Sequence, residues 1–503
     1  MKLTTELDGG KVSIKTGRVK LLELLALVPL QSVRGPRDAE VAGVSVDSRE
    51  VGPGFVFVAC EGEKTDGNRF VSDAVARGAT VVVSERPPNP KLTSVTWVQT
   101  PDARKAAGLM AAKAWGEPAK KMNLVGITGT NGKTTTAYLV DGLISKLAPP
   151  SAMLGTVVEK IGSRTAPARH TTPEAPKIQE FLAEALGGGA RFGVLEVSSH
   201  GLALSRLEGS EFEVALFTNL SRDHLDFHHD MESYFEAKRL LFSRYLRARG
   251  HAVIAIDDVY GERLASSVSG KITTFGDSPT ADLSLVEVEA SLAGVRLSFR
   301  EKDVVREIRS PLVGRYNALN LLGAFAAVRA LGFTAEDVLA ALRDVPGAPG
   351  RFEKVPVDRP FDVVVDYAHT DDALRKLLEA ARPLTRGKLW VVFGCGGERD
   401  RSKRPLMGMV AARIADRVVV TSDNPRGEDP EAIVREILLG TKEQPGGIDV
   451  EVDRRKAIAF ALERAEPDDL VVIAGKGHEP YQIVGDRVLD FDDRKVVKEI
   501  LGS

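Results

Sequence analysis

Apolar residues in this chain gather in short runs that each end in a polar, glycine-rich turn. Met122 to Val125 is such a run, and Ala137-Tyr-Leu-Val-Asp-Gly-Leu-Ile144 after it has helical spacing, so a strand, a turn and a helix are expected there. Strand-like runs recur at Val41 to Val46, Phe55 to Ala59 and Ala79 to Ser84, then at Phe192 to Val197, Val214 to Thr218 and Ala252 to Ile256. Helical stretches separate the later ones, which predicts a mostly parallel sheet. Alternation from Asp282 to Ile308 predicts an appended antiparallel part, and Asn317 to Leu331 an Ala/Leu-rich helix. Four further runs start at Phe361, Leu389, Arg417 and Leu470 and end in His369, Gly397, Arg426 and Glu479. Ligands of open parallel sheets bind beyond the carboxyl ends of the strands, so these four polar ends are expected along one rim. Leu21 to Val28 reads as an amphipathic first helix; Glu23 and the lack of a small-residue cleavage site argue against a signal core.

Gly116 to Lys121 and Val345 to Gly350 read as linkers. The fold class expected is α/β in three domains: residues 1–119 as a small α/β domain, 120–347 as a central P-loop-type parallel-sheet domain, and 348–503 as a Rossmann-like domain. A chain of 503 residues accommodates three domains. Closure of the domains about the two linkers is expected.

Composition narrows the function classes. The apolar share of 43% and charged share of 27% are those of a soluble globular protein, and no apolar run approaches the ~20 residues of a membrane span. A net charge of −2 gives no electrostatic case for nucleic acid. Cys60 and Cys395 alone exclude a disulfide framework and a cysteine-based zinc cluster, which suits a reducing cytoplasm.

The chemistry starts at Gly129-Thr-Asn-Gly-Lys-Thr-Thr135. A strand, a glycine-rich turn and a helix start point backbone N–H groups and a helix dipole at an anion. Lys133 adds a mobile charge for phosphates and the Thr134 hydroxyl a place for Mg²⁺, so ATP is the expected ligand. Ile127 stands where the common pattern has glycine, and Gly129 supplies the earlier flexible position. Glu196, at a strand end, is placed to hold Mg²⁺; Ser198, Ser199 and His200 follow, and the same stretch also reads as a capped turn opening a helix. His224 is a candidate second metal ligand, although alone it reads as a polar loop residue. Lys238 alone reads as a solvated helix lysine.

Together, Gly129 to Thr134, Glu196-Val-Ser-Ser-His200, Asp223-His-Leu-Asp226, Gly314-Arg-Tyr-Asn317 with Asn320, and Gly350-Arg-Phe-Glu353 resemble the Mur ligases, which build the peptide stem of bacterial peptidoglycan. Gly394 to Asp400, Asp423-Asn-Pro-Arg426 and Gly475-Lys-Gly-His-Glu479 resemble the diaminopimelate-adding kind. The resemblance spans roughly residues 22 to 500 and implies an amide-forming ligase that works through an acyl phosphate. It implies that Thr134 and Glu196 hold one Mg²⁺, and that His224 and a carbamylated Lys238 help hold a second. Gly129, Thr130, Asn131, Gly132, Lys133, Thr134, Thr135, Asn317, Arg351, Asp366 and His369 would bind ATP. Ser48, Lys64, Thr65, Asp66, Gly67, His170, Thr171, Thr172, Ser198 and Arg206 would bind UDP-N-acetylmuramoyl-dipeptide. Arg399, Asp423, Asn424, Pro425, Arg426, Gly475 and Glu479 would bind meso-diaminopimelate, Arg426 as a fork for its distal carboxylate and Glu479 as an anion for its distal amino group. Family members often have proline at the site of Asp371. No nucleic acid and no membrane insertion are expected, and the enzyme is expected to be a cytoplasmic monomer.

Overall fold

The computed structural model describes residues 4–8, 11–15, 18–62, 65–441 and 447–502. The chain divides into two units, Met1–Leu285 with Arg300–Val304 and Leu319–Ala341, and Val286–Phe299 with Val305–Ala318 and Leu342–Ser503.

The first unit opens with helix α1 (Leu21–Leu25), which buries Leu21, Leu24 and Leu25. The expected helix stops early because Pro29 follows and disfavours helical geometry before it. Five strands then form one sheet: β1 (Ser32–Arg34), β2 (Gly43–Ser45), β3 (Phe55–Ala59), β4 (Ala79–Ser84) and β5 (Thr96–Gln99), in the order β1-β5-β4-β3-β2. The run Val41 to Val46 is not one strand; it breaks at Ala42 into Glu40–Val41 and β2, which join different sheets. Helix α2 (Ala103–Ala114) is half alanine and lies in the same core as Val56, Val81 and Val98. The expected linker at Gly116 holds one helical turn, Pro118–Lys121, with proline at its first position, where the missing N–H costs nothing.

The larger sheet of this unit is built on β6 (Asn123–Thr128). Helix α3 (Lys133–Leu147) follows, then β7 (Ser151–Leu154), β8 (Val158–Ile161), β9 (Arg164–Pro167), α4 (Ala175–Gly187), β10 (Phe192–Glu196), α5 (Ser199–Ala203), β11 (Phe212–Phe217), α6 (Met231–Leu240), β12 (Leu246–Ala255) and β13 (Lys271–Gly276). The order is β9-β8-β7-β10-β6-β11-β12-β13, parallel from β7 to β13. Its central strands read as continuous apolar runs because both faces are covered: Leu124, Leu195, Ala215, Phe217 and Ile254 share one core with Ile178 and Leu182 of α4. Strands β14 (Leu283–Ser291), β15 (Gly294–Glu301) and β16 (Val304–Ser310) follow as neighbours joined by two-residue turns, the geometry of antiparallel hairpins. Helix α7 (Asn317–Ala330) lies where the sequence predicts it.

The second unit carries a sheet of β17 (Glu353–Val355), β18 (Asp362–Asp366), β19 (Leu389–Phe393), β20 (Arg417–Val420), β21 (Ile448–Val450) and β22 (Leu470–Ala474), in the order β17-β18-β22-β19-β20-β21. All pairs are parallel except β17 with β18. A hairpin of β23 (Tyr481–Val484) and β24 (Arg487–Asp490) follows β22. Helices α8 (Arg454–Arg464) and α9 (Asp493–Leu501) are joined by a wholly buried ion pair, Arg454 to Asp493 at 2.7 Å. Arg454 also donates to the Ala474 carbonyl at the end of β22, which fixes where the following loop departs.

Candidate active site

The glycine-rich loop leaves β6 in the middle of the larger sheet, between β10 and β11. Ile127 is fully buried and paired with Glu196 and Leu216, so it belongs to the strand and not to the loop. That is why glycine is not needed there. Gly129 and Gly132 have φ of 146° and 84°, and a Cβ on Gly129 would lie 1.9 Å from Thr218 Oγ1. The loop is pinned from β11's end: Thr130 N donates to the Asn219 carbonyl, Asn131 N to Asn219 Oδ1, and Thr218 Oγ1 to the Asn131 carbonyl.

Lys133 opens α3 and its Nζ donates to the carbonyls of Gly129 and Thr130, both at 2.9 Å. Thr134 Oγ1 donates to Glu196 Oε2 at 2.8 Å, and Thr135 is buried on the same turn. Glu196 is 1% exposed and also accepts from Thr156 N and Thr156 Oγ1. Two hard oxygen donors, a hydroxyl and a carboxylate, thus meet beside the phosphate loop, a donor set that suits Mg²⁺. Among the described residues no group of three or more His, Cys, Asp or Glu side chains could hold a metal.

Lys238 stands beside the same loop. Its side chain is 1% exposed, its Nζ donates to the Gly129 carbonyl at 2.8 Å, and it stands 4.5 Å from the Tyr234 ring. Burial, reinforced by Lys133, holds its pKa well below that of ordinary lysine and so favours the neutral amine. The solvated-lysine reading is thereby excluded. The His224 ring lies 5.0 Å from that of His200 and 6.1 Å from that of Tyr234, and burial lowers its pKa. His224 has φ of 53°, a left-handed turn that the sequence did not announce.

The residues expected to take the sugar-peptide fall into two places. Thr172 Oγ1 donates to the Glu196 carbonyl and accepts from Ser198 N, and Arg206 donates to the Thr172 carbonyl while pairing with Glu174. Thr171 meets Thr156 at 3.1 Å, and His170 is exposed. Ser198 accepts from Gly201 N and so does cap α5. In the small sheet, Ser48 is buried at the start of a short 3₁₀ turn. Asp66 caps the turn Gly67–Phe70 and pairs with Arg86, and Thr65 O accepts from Gly62 N. Glu63 and Lys64 lie outside the described residues.

In the second unit the loops after β18, β19, β20 and β22 meet along one rim. Asp366 accepts from Phe352 N and Ala368 N, and burial raises its pKa against the pull of Arg351. Arg351 stands 5.0 Å from the Tyr367 ring, and His369 Nδ1 meets the Tyr367 carbonyl at 2.9 Å. Asn317 is buried and donates to the Val313 carbonyl. Asn424 Nδ2 donates to Glu479 Oε2 at 3.0 Å, and Gly475, with φ of 116°, brings its backbone against Asp423. Arg426 Nη1 donates to the carbonyls of Gly397 and Asn424 at 2.9 and 3.3 Å, and Pro425 is buried beside it. Arg399 is exposed at the same rim.

Descriptions of one family match the chain in order: the Mur ligase family, catalytic domain, over residues 40–115; the Mur ligase middle domain over 127–328; and the Mur ligase, glutamate ligase domain over 350–477. A protein of Gloeobacter violaceus named UDP-N-acetylmuramoyl-L-alanyl-D-glutamate--2,6-diaminopimelate ligase is 46% identical over 488 residues, 96% of this chain and 98% of its own length. The chain belongs to the Mur ligase family. A solved structure of a ligase with that same name aligns with a TM-score of 0.71 and 36% identity, over 97% of this chain and 99% of the other. Mycobacterium tuberculosis folylpolyglutamate synthase complexed with ADP aligns with a TM-score of 0.58 over 75% of this chain and 92% of its own, but at 20% identity, a likeness of fold alone. No helix among the described residues is long and apolar enough to cross a membrane.

Two residues of this Mur ligase were missed in the sequence. Lys476 is fully buried among Asp423, Asn424 and Glu479. It sits inside Gly475-Lys-Gly-His-Glu479, and the signal for it is its position between two glycines in a polar strand end. His228 is buried beside His200 and Tyr234 with its Nε2 lacking a hydrogen-bond partner. Nothing in the sequence marks it.

Proposed function

We propose that this Mur ligase adds meso-2,6-diaminopimelate to UDP-N-acetylmuramoyl-L-alanyl-D-glutamate, with ATP as co-substrate, in cytoplasmic peptidoglycan precursor synthesis. The observation that carries the choice of amino acid is the strand-end pocket, where Arg426 and the Asn424–Glu479 pair present a cationic and an anionic end on neighbouring loops. Diaminopimelate carries a carboxylate and an amino group at its far end, whereas lysine lacks that carboxylate and would leave Arg426 unmatched. The name and near full-length identity of the Gloeobacter relative support the same reading.

The reaction joins an amine to a carboxylate, and a carboxylate is a poor electrophile. Transfer of the ATP γ-phosphoryl to it creates a leaving group; attack by the amine and loss of phosphate then form the amide. Lys133 lies where it can exchange its loop carbonyls for phosphate oxygens and offset the repulsion between two anions. Thr134 and Glu196 would hold one Mg²⁺ and His224 with a carbamylated Lys238 a second, and such ions supply charge neutralisation at the transferring group. A neutral amine is the form of lysine that reacts with CO₂, and the burial of Lys238 beside Lys133 favours it. Asn317, Arg351, Asp366 and His369 are assigned to the nucleotide. Ser48, the turn ending at Gly67, His170 to Thr172, Ser198 and Arg206 are assigned to the UDP-sugar peptide. The domains proposed are 1–119, 120–347 and 348–503.

A ligation assay with purified enzyme, ATP, Mg²⁺ and UDP-sugar dipeptide tests this. Product should form with meso-diaminopimelate and fall by ~10⁴-fold in kcat/KM with L-lysine. Equal use of both would overturn the pocket assignment, and phosphate release without any amino acid would favour a plain ATPase.

A further inference from the structure

Lys476 is wholly buried, yet its side chain ends among polar groups. Nζ donates to Asn424 Oδ1 at 3.1 Å and stands 3.5 Å from Asp423 Oδ1 and 3.6 Å from Glu479 Oε2. Asn424 Oδ1 also accepts from Ile483 N, which fixes the amide so that its Nδ2 faces Glu479. Asp423 Oδ1 is buried without a hydrogen-bond partner, so Lys476 is the charge that faces it. Two carboxylates confined together repel, and one of them takes up a proton unless a cation stands between them.

We infer that Lys476 is a specificity-determining residue of the amino-acid pocket: it keeps Glu479 an ionised acceptor for an ammonium group, while Arg426 remains for a carboxylate. The inference rests on the pocket assignment proposed above. The groups that face Glu479 are Lys476 and Asn424 in contact, Asp423 across the pocket, Tyr367, Tyr481, and Arg454, which is already committed to Asp493. Burial raises the pKa of Glu479 and Asp423 raises it further; Lys476 pulls it back. A neutral residue at 476 removes that pull and shifts Glu479 towards its protonated form, and a protonated carboxyl does not draw an ammonium.

The test is Lys476→Met, a swap close in length and apolar, with KM measured for meso-diaminopimelate and for ATP between pH 6.5 and 9.5. Each pKa unit that Glu479 gains cuts its ionised fraction by up to about 10-fold, so KM for diaminopimelate should rise, and most at the low end of the pH range. KM for ATP should stay within about 2-fold, and the gap for diaminopimelate should close as pH rises and Glu479 ionises. An unchanged KM, a rise that does not depend on pH, or a joint rise for ATP and diaminopimelate would each overturn the inference. A second comparison does not depend on the single variant folding well. Glu479→Gln and the double variant Glu479→Gln/Lys476→Met should differ in KM for diaminopimelate by less than about 2-fold, because Lys476 has no carboxylate left to hold at 479. A further 10-fold loss in the double variant would show that Lys476 acts independently of Glu479. Wild-type enzyme that fails to discriminate diaminopimelate from L-lysine would instead overturn the pocket assignment itself.

Discussion

Lys238 holds a primary amine where an ammonium is costly: fully buried, beside Lys133, with the Gly129 carbonyl as its acceptor. Truncation to alanine removes both the amine and any oxygen-bearing group formed on it. Lys238→Ala is expected to lower kcat by about 10²-fold or more, with partial rescue by a short-chain carboxylic acid that fits the vacated space. Full activity of the variant would end the assignment. Nearby, burial pushes the His228 pKa down to about 4 from the ordinary 6.5. Between those values the unfolded chain holds a proton that the folded chain does not, so this residue costs stability as pH falls through that window. His228→Phe should therefore flatten the drop in Tm between pH 6.5 and 4.5, as measured by calorimetry; an unchanged slope would place the acid sensitivity elsewhere. Neither environment is legible in the sequence. Lys238 lies in a run, Tyr234 to Leu241, whose helical spacing is plain but whose buried face depends on which loop packs over it, and that loop is about a hundred residues away in the chain.

At the scale of elements, legibility follows from how local the cause is. The loop at Gly129 to Thr134 was readable because glycines, lysine and threonine sit at fixed offsets between a strand and a helix. The four strand ends of the second unit were readable for the same reason, since each apolar run stops at its own polar turn. The three-residue strands β1, β17 and β21 were not, because their pairing comes from the neighbouring strand. The break at Ala42 was hidden likewise. The phosphate loop also permits a strict test. Alanine at 129 would need φ near 146° and would put its Cβ 1.9 Å from Thr218 Oγ1. Strain of about 1–3 kcal/mol per such residue predicts that Gly129→Ala weakens binding of a non-hydrolysable ATP analogue by roughly 10- to 100-fold in titration calorimetry. Binding equal to wild type would mean that the loop conformation described is not the one that takes the nucleotide.

At the scale of the whole molecule, the residues proposed for the reaction fall in two units. Lys133, Thr134, Glu196 and Lys238 belong to one, and Asp423, Arg426 and Glu479 to the other. Of the residues proposed for the nucleotide, Asn317, Arg351, Asp366 and His369 lie in the second unit with Arg426, so a substitution there has to be checked against both ligands. Arg426 offers the sharpest case. Its backbone is held in the left-handed region, φ of 51°, by the Ile483 carbonyl and Gly485 N, and its Nη1 by two carbonyls, so the guanidinium is positioned without any acidic partner in hydrogen-bond contact among the described residues. Removing one partner of a desolvated charge pair costs about 2–5 kcal/mol, so Arg426→Ala should lower kcat/KM for meso-diaminopimelate by roughly 10²-fold or more. Alanine at a positive φ adds local strain, and Arg426→Lys separates the two effects: it keeps a side chain and a charge but loses the fork, and should recover only part of the loss. In both variants the Kd for the ATP analogue should stay within about 2-fold of wild type, since among the described residues no hydrogen bond joins Arg426 to Arg351, Asp366 or His369. A parallel collapse of nucleotide affinity would show instead that Arg426 supports the fold of the whole enzyme and not the choice of amine.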